Sequence, residues 1–374
     1  MMSIKVLIAE DSAFQRKIIS EMLDGHEFID VINMARNGEE AIEMVNKYRP
    51  DVLVLDLLMP KVDGLTALKE IMEQNPTPTI IFSVLDPRSL DNSVKALVLG
   101  AVDYIIKPGG EWKVEFPKFR EELISKVLLA AKSHVKREFK RSPAEYVEKI
   151  VLEKPVRFKR LPSQRKLSKP HFDLSPIYVS NLKSNIIVMG ASVGGPRTLK
   201  QILKEIPKDL SAPILVVQHL NEHFVDQFVG TLGNNCDIKI KVGMQNEFIE
   251  PSNVYVSPGG THMTISVRNN KPCIELVNSE PVNFCKPSID MLFFSAARVY
   301  KNNTLGILLT GMGEDGVDGL QAIQKYKGMT ISESKETAIL YGMPKIAAER
   351  GVVDMIIPNY KIKDQIIRFA KRFN

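Results

Sequence analysis

From Ile4 onward the chain alternates short apolar runs with longer stretches whose apolar residues recur every three or four positions. Runs at 4–9, 31–35, 52–55, 79–82 and 103–106 predict strands, and the amphipathic stretches 12–23, 38–47, 64–74, 89–99 and 117–135 predict helices. Five strand–helix repeats of this size describe a doubly wound parallel sheet, which gathers ligands beyond the carboxyl ends of its strands. The periodicity then fades: prolines recur at 143, 155, 162, 170 and 176, with one short helix expected near 144–152. A second alternating region starts at Asn185, with strands predicted at 186–189, 214–218, 238–242, 253–256, 263–267 and 304–309 and helices at 198–205, 288–300 and 316–326. The expected architecture is α/β, two doubly wound domains spanning 1–135 and 184–374, joined by a linker at 136–183.

Composition refines this picture in two places. The formal charge is +6, yet residues 132–185 hold 14 Lys plus Arg against 5 Asp plus Glu, so the basic character belongs to the linker and the rest of the chain is net acidic. That segment lacks aromatic interleaving and any nucleic-acid reading motif, so a solvated linker is the expectation and no nucleic-acid partner is assigned. No apolar run approaches a membrane span, and Glu10 and Asp11 interrupt the N-terminal apolar run too early for a signal peptide, which together favour a cytoplasmic protein. Three cysteines without metal-ligand spacing, Cys236, Cys273 and Cys285, read as free thiols.

Acidic residues stand at the ends of the N-terminal strands: Glu10 and Asp11 after the first, Asp56 after the third. Carboxylates gathered at one sheet edge repel one another unless a cation joins them, and a hard, oxygen-liganded ion such as Mg²⁺ fits. Ser83 and Lys107 close the fourth and fifth strands, adding a hydroxyl and an ammonium to the same rim. Aspartate, magnesium, hydroxyl and lysine together serve phosphoryl transfer onto Asp56. These positions, with Asp11-Ser12, Leu57-Leu58-Met59-Pro60, Asp63-Gly64 and Lys107-Pro108, resemble the flavodoxin-like receiver domain of response regulators. The resemblance implies Asp56 as phospho-acceptor, Mg²⁺ held by Glu10, Asp11, Asp56 and the Leu58 carbonyl, Ser83 as the phosphoryl-sensing hydroxyl, Lys107 on the phosphoryl group and a cis bond before Pro108.

In the second region Gly190-Ala191-Ser192-Val193-Gly194-Gly195 follows a buried strand and precedes a helix. Glycines around Ser192 permit the sharp turn of a nucleophile elbow, though the same turn also suits a serine that merely caps a helix. His219 and Asp315 lie at or just beyond the ends of two further strands, so one crevice can gather serine, imidazole and carboxylate into a relay that activates the hydroxyl. The order Ser, His, Asp is not that of the α/β-hydrolases. His223 has no third ligand at metal spacing, so no metal is expected here. His262 could approach the crevice in a structural or substrate-side role.

Together with Val217-Gln218-His219, Pro258-Gly259-Gly260-Thr261-His262-Met263, Lys286-Pro287-Ser288-Ile289-Asp290 and Thr310-Gly311-Met312-Gly313-Glu314-Asp315-Gly316, the elbow resembles the CheB family of chemotaxis protein-glutamate methylesterases and glutamine deamidases. The resemblance implies a Rossmann-like catalytic domain with Ser192 as nucleophile, His219 as general base and then acid, Asp315 orienting His219, and Val193 and Met312 beside the oxyanion. It also implies methyl-accepting chemotaxis receptors as substrate, a CheA-type histidine kinase as phosphodonor, and membrane contact only through the receptors. The sequence departs from the family's pattern at Val193, where threonine is usual, at Leu220-Asn221-Glu222, where Met-Pro-Pro is typical, and at Lys286, where arginine is usual. The competing classes are a non-enzymatic regulator binding nucleic acid or protein through the linker and C-terminal domain, and a serine hydrolase of small esters.

Overall fold

A computed structural model describes residues 3–108, 112–136, 175, 177, 179 and 184–373. The chain divides into two compact units, Met1–Val156 and Arg157–Asn374. The short helix expected near 144–152 lies outside the described residues, as does nearly all of the expected linker.

In the first unit, strands β1 (Ile4–Ala9), β2 (Ile29–Ala35), β3 (Val52–Asp56), β4 (Thr79–Ser83) and β5 (Asp103–Ile106) form one parallel sheet in the order β2-β1-β3-β4-β5. Helices α1 (Ala13–Leu23), α2 (Gly38–Tyr48), α3 (Gly64–Gln74), α4 (Pro87–Leu99) and α5 (Trp112–Ala130) alternate with them. The helices start where side chains can satisfy free N–H groups: Ser12 accepts from Gln15 N–H, Asn37 from Glu40, Asp63 from Thr66, and Asp86 from Arg88 and Ser89. Each cap is worth about 1 kcal/mol, which fixes the register of the loops that carry the acidic residues. Every residue of β3 and β4 is buried, as expected of central strands covered on both faces. The cis bond expected before Pro108 is absent: the one cis peptide among the described residues is Lys286–Pro287 in the second unit. With a trans bond following it, Lys107 already reaches its carboxylate partners, as described below.

The second unit is built on seven parallel strands, β6 (Ile186–Ala191), β7 (Ile214–Gln218), β8 (Lys239–Val242), β9 (Asn253–Val256), and, beyond a separate antiparallel hairpin of β10 (His262–Arg268) and β11 (Lys271–Val277), β12 (Thr304–Leu308), β13 (Met329–Glu333) and β14 (Met355–Ile357). Its helices are α6 (Gly195–Leu203), α7 (Val225–Gly233), α8 (Ile289–Tyr300), α9 (Val317–Lys325), α10 (Met343–Glu349) and α11 (Asn359–Ala370). The order is β14-β13-β12-β6-β7-β9-β8. The segment read as a strand at 263–267 therefore belongs to the hairpin, whose tight turn uses Asn269 and Asn270 at positive φ. Ser175 and Ile177, expected in the linker, are anchored on α8: Ile177 N–H donates to Arg298 O and Arg298 Nε to Ser175 O.

Strand order creates the site. From β6 the chain passes to β7 on one side, and β12 later pairs with its other side, so loops leaving β6 diverge from their neighbours into a crevice.

Candidate active site

Ala191 and Gln218 are paired residues at the ends of β6 and β7, so the residues that follow them, Ser192 and His219, leave the sheet side by side. His219 N–H donates to Ala191 O at 2.9 Å, and the buried Gln218 side chain donates from Nε2 to both Ser192 O (2.9 Å) and His219 O (3.0 Å). One amide thereby ties the two loops together. The elbow needs its glycines. Gly194 has φ +75°, and a Cβ there would lie 2.6 Å from Ile339 Cβ; a Cβ on Gly311 would lie 2.6 Å from Ser192 Cβ. The loop after β12 is thus packed directly on the serine.

Thr310 fastens that loop. Its carbonyl accepts from Ser192 N–H (3.0 Å), its hydroxyl donates to Val193 O (2.9 Å), and its N–H donates to Glu333 Oε2 (2.9 Å). Glu333 is fully buried at the end of β13 and also accepts from the Thr337 hydroxyl; burial pushes its carboxyl up to about 7. Met312, two residues on, is 58% exposed.

Asp315 lies buried in the loop before α9, against the N-terminus of α8, and accepts from five donors: His219 Nε2 (2.9 Å) and Ile289 N–H (2.7 Å) on Oδ2, and the Ser288 hydroxyl (2.8 Å), Asp290 N–H and Asn283 Nδ2 (both 3.2 Å) on Oδ1. Burial alone would raise its pKa, but the His219 hydrogen bond and charge, followed by those of Ile289 and Ser288, outweigh it and hold the carboxyl below its ordinary value. Its neighbour Asp290 goes the other way: burial, then the Asp315 charge, raises it well above the usual range. With Nε2 bound to the carboxylate, Nδ1 is the imidazole nitrogen left to accept a proton; it faces the Cys285 thiol at 3.7 Å. Burial, then Asp315 and Asp290, pushes that thiol up to about 12. All three cysteines are free, and His223 is exposed and is not among the groups of potential metal ligands found in the described residues, whereas ligand atoms of His219, Cys285 and Asp315 lie within 4.8 Å of one another. His262 is wholly buried between Ser288 N–H and Glu280 O, a structural position.

The residues singled out at the sheet edge of the first unit also converge. Ligand atoms of Glu10, Asp11 and Asp56 lie within 4.8 Å of one another. Lys107 Nζ lies 2.9 Å from Glu10 Oε2 and 2.7 Å from Asp56 Oδ2, while Asp56 Oδ1 accepts from Leu58 N–H at 3.0 Å. The hydroxyls of Ser83 and Ser93 are 2.9 Å apart. Burial, and then the Asp56 charge, pushes the Glu10 carboxyl up to about 7 against the pull of Lys107. Two buried carboxylates and an exposed third with one ammonium between them fit a hard divalent cation.

Sequence reasoning passed over Gln218 as a tether, Thr310, Glu333, Asn283 and Cys285. Only Glu333, a charge closing the apolar Met329–Glu333 strand, carried a local signal.

Residues 187–366 match the CheB methylesterase family and residues 6–114 the response regulator receiver domain family. The chain is 36% identical to a protein-glutamate methylesterase/protein-glutamine glutaminase of Halalkalibacterium halodurans, over 99% of both chains, and 38% identical to one of Caldanaerobacter subterraneus, over 99% of this chain and 97% of the relative. Among solved structures it is similar to the CheB methylesterase catalytic domain of Thermotoga maritima, at 37% identity and a TM-score of 0.49, covering 50% of this chain and 98% of that one. These full-length matches to enzymes disfavour the non-enzymatic alternative. The chain belongs to the CheB family of protein-glutamate methylesterases/protein-glutamine glutaminases that carry a response-regulator receiver domain.

Proposed function

We propose that this protein is a cytoplasmic, phosphorylation-regulated esterase that removes methyl groups from glutamate γ-methyl esters of chemoreceptors, releasing methanol, and that it deamidates receptor glutamines by the same acyl chemistry. The observation that carries this is the His219–Asp315 pair, 2.9 Å apart, beside Ser192 at the switch point of the sheet.

Ser192 Oγ attacks the ester carbonyl while His219 takes its proton on Nδ1. The imidazolium so formed is stabilised by Asp315, whose ionisation is secured by its five donors. The tetrahedral oxygen is met by the backbone N–H of Val193 and by the Met312 loop. His219 then passes the proton to the departing methoxide, giving methanol and a glutamyl-serine ester. Water, deprotonated by His219, attacks that ester, and Ser192 leaves with the proton to regenerate the enzyme. With a glutamine substrate the group expelled is ammonia.

Within this reading residues 1–135 are the receiver domain, 136–183 the linker and 184–374 the catalytic domain. Asp56 accepts a phosphoryl group from a CheA-type histidine kinase. Glu10, Asp11, Asp56 and the Leu58 carbonyl would hold Mg²⁺, which supplies charge neutralisation for the incoming phosphoryl group. Lys107 stays on the phosphoryl oxygens, and Ser83 turns toward them. Contact with the membrane runs through the receptors.

The test is methanol release from methylated receptor membranes by the full chain, with and without a small phosphodonor and Mg²⁺. Wild type is expected to release methanol faster with the donor, and Ser192→Ala to lose on the order of 10⁴-fold or more in either condition. Turnover retained by Ser192→Ala sinks the mechanism.

A further inference from the structure

Val282 and Cys285 exchange both backbone hydrogen bonds, at 3.1 and 2.9 Å, closing a two-residue turn beside the active site. Both central residues, Asn283 (φ +51°) and Phe284 (φ +64°), are left-handed, the pattern of a type I′ turn. Asn283 suits such a position and uses it: its side chain donates to Asp290 Oδ2 at 2.7 Å and to Asp315 Oδ1 at 3.2 Å. Phe284 suits it poorly. The second central position of this turn favours glycine, and a bulky side chain at positive φ is strained. The residue is also fully exposed, at 104%, so its side chain contributes no packing to the fold. Strain and an unburied aromatic ring therefore coincide at one residue, where glycine would relieve both.

Its surroundings are the catalytic groups. The preceding residue binds the Asp315 carboxylate, and the following residue, Cys285, touches His219. Met312, on the loop packed against Ser192, is a further exposed apolar side chain. An ester of a single small molecule would be consumed at Ser192 without needing a ring on this outer turn; an ester borne on a polypeptide brings neighbouring apolar side chains to it.

We propose that Phe284 is a specificity-determining residue that contacts an apolar side chain of the polypeptide carrying the glutamyl ester, favouring it over small esters. This rests on the methylesterase reading above. Aromatic anchors of this kind typically hold a tenfold or larger share of affinity.

The test compares kcat/KM of the phosphodonor-treated full chain on methylated receptor membranes with kcat/KM on a soluble ester, free glutamate γ-methyl ester. In Phe284→Gly the ratio of the two is expected to fall roughly tenfold, mostly through the receptor KM. The thermal midpoint of the same variant is expected to rise by about 2–4 °C as strain is relieved, which separates the loss from misfolding. Phe284→Tyr keeps the ring and is expected to keep the ratio within about twofold of wild type. An unchanged ratio in Phe284→Gly overturns the proposal. Wild-type protein that releases no methanol from receptor overturns the underlying reading instead.

Discussion

The two units solve one electrostatic problem in opposite ways. Each brings carboxylates to the carboxyl end of a parallel sheet. In the first, Glu10 and Asp56 face each other across a single ammonium, Lys107, and Glu10 is pushed up to about 7. In the second, Asp315 is likewise buried, yet neutral donors and one imidazole hold it below its ordinary value. The first arrangement leaves charge for ligands to complete, as a switch requires. The second settles the charge within the protein, so the imidazole keeps one orientation through every turnover.

The largest expected effect tests the settled side. Asp315→Asn replaces an acceptor of five hydrogen bonds with a group that must donate in part, and methanol release should fall by roughly 10³–10⁴-fold. A loss below tenfold would mean that the donor shell is dispensable. On the unsettled side, Lys107→Met removes the ammonium that bridges two buried carboxylates and should cost on the order of 3–5 kcal/mol of receiver stability in Mg²⁺-free buffer, read from urea unfolding. Adding Mg²⁺ should stabilise this variant more than wild type; no stabilisation of either protein would break the view that the acidic cluster takes a cation.

Glu333 sharpens the contrast, because among the described residues no cation contributes to its shift. Its unfolded form loses its proton near 4.5, whereas the folded form keeps it to about 7. The native state therefore binds the extra proton between those values, and stability should fall as pH rises through that window, by on the order of 3 kcal/mol from this group. Subtracting the urea profile of Glu333→Gln from that of wild type at pH 5 and 7.5 isolates the slope. Profiles that stay parallel would place the ionisation elsewhere. The smallest effect is expected at Asp290, whose carboxyl is raised by burial and then by the Asp315 charge and which does not touch His219: Asp290→Asn should change methanol release by less than about tenfold. A loss as large as that of Asp315→Asn would put a second anion in the relay.

Most of the architecture is legible in the sequence because it is local. Apolar runs such as Ile80-Ile81-Phe82 and Ile186-Ile187-Val188-Met189 announce central strands, and Ser12, Asn37 and Asp63 announce the helices they cap. Strand β11 opens Lys-Pro and β14 is three residues long, so neither offers an alternation to read. Helix α11 does carry a local signal: Ile362, Ile366 and Phe369 are buried at helical spacing. In the site, Ser192, His219 and Asp315 are marked by their places at or beyond strand ends. The shell around them is not, because Ser288 and Asp290 meet Asp315 across more than 20 residues, and nothing local to either segment encodes that meeting.

Two of the five donors to Asp315 are peptide N–H groups from the first turn of α8. A peptide hydrogen cannot be mutated away except to proline, so these two contacts pass unchanged through side-chain drift. Replacements such as Val193 and Lys286 can accumulate around the crevice while the relay keeps its alignment, and a lineage can retune which proteins it serves without rebuilding how it cuts.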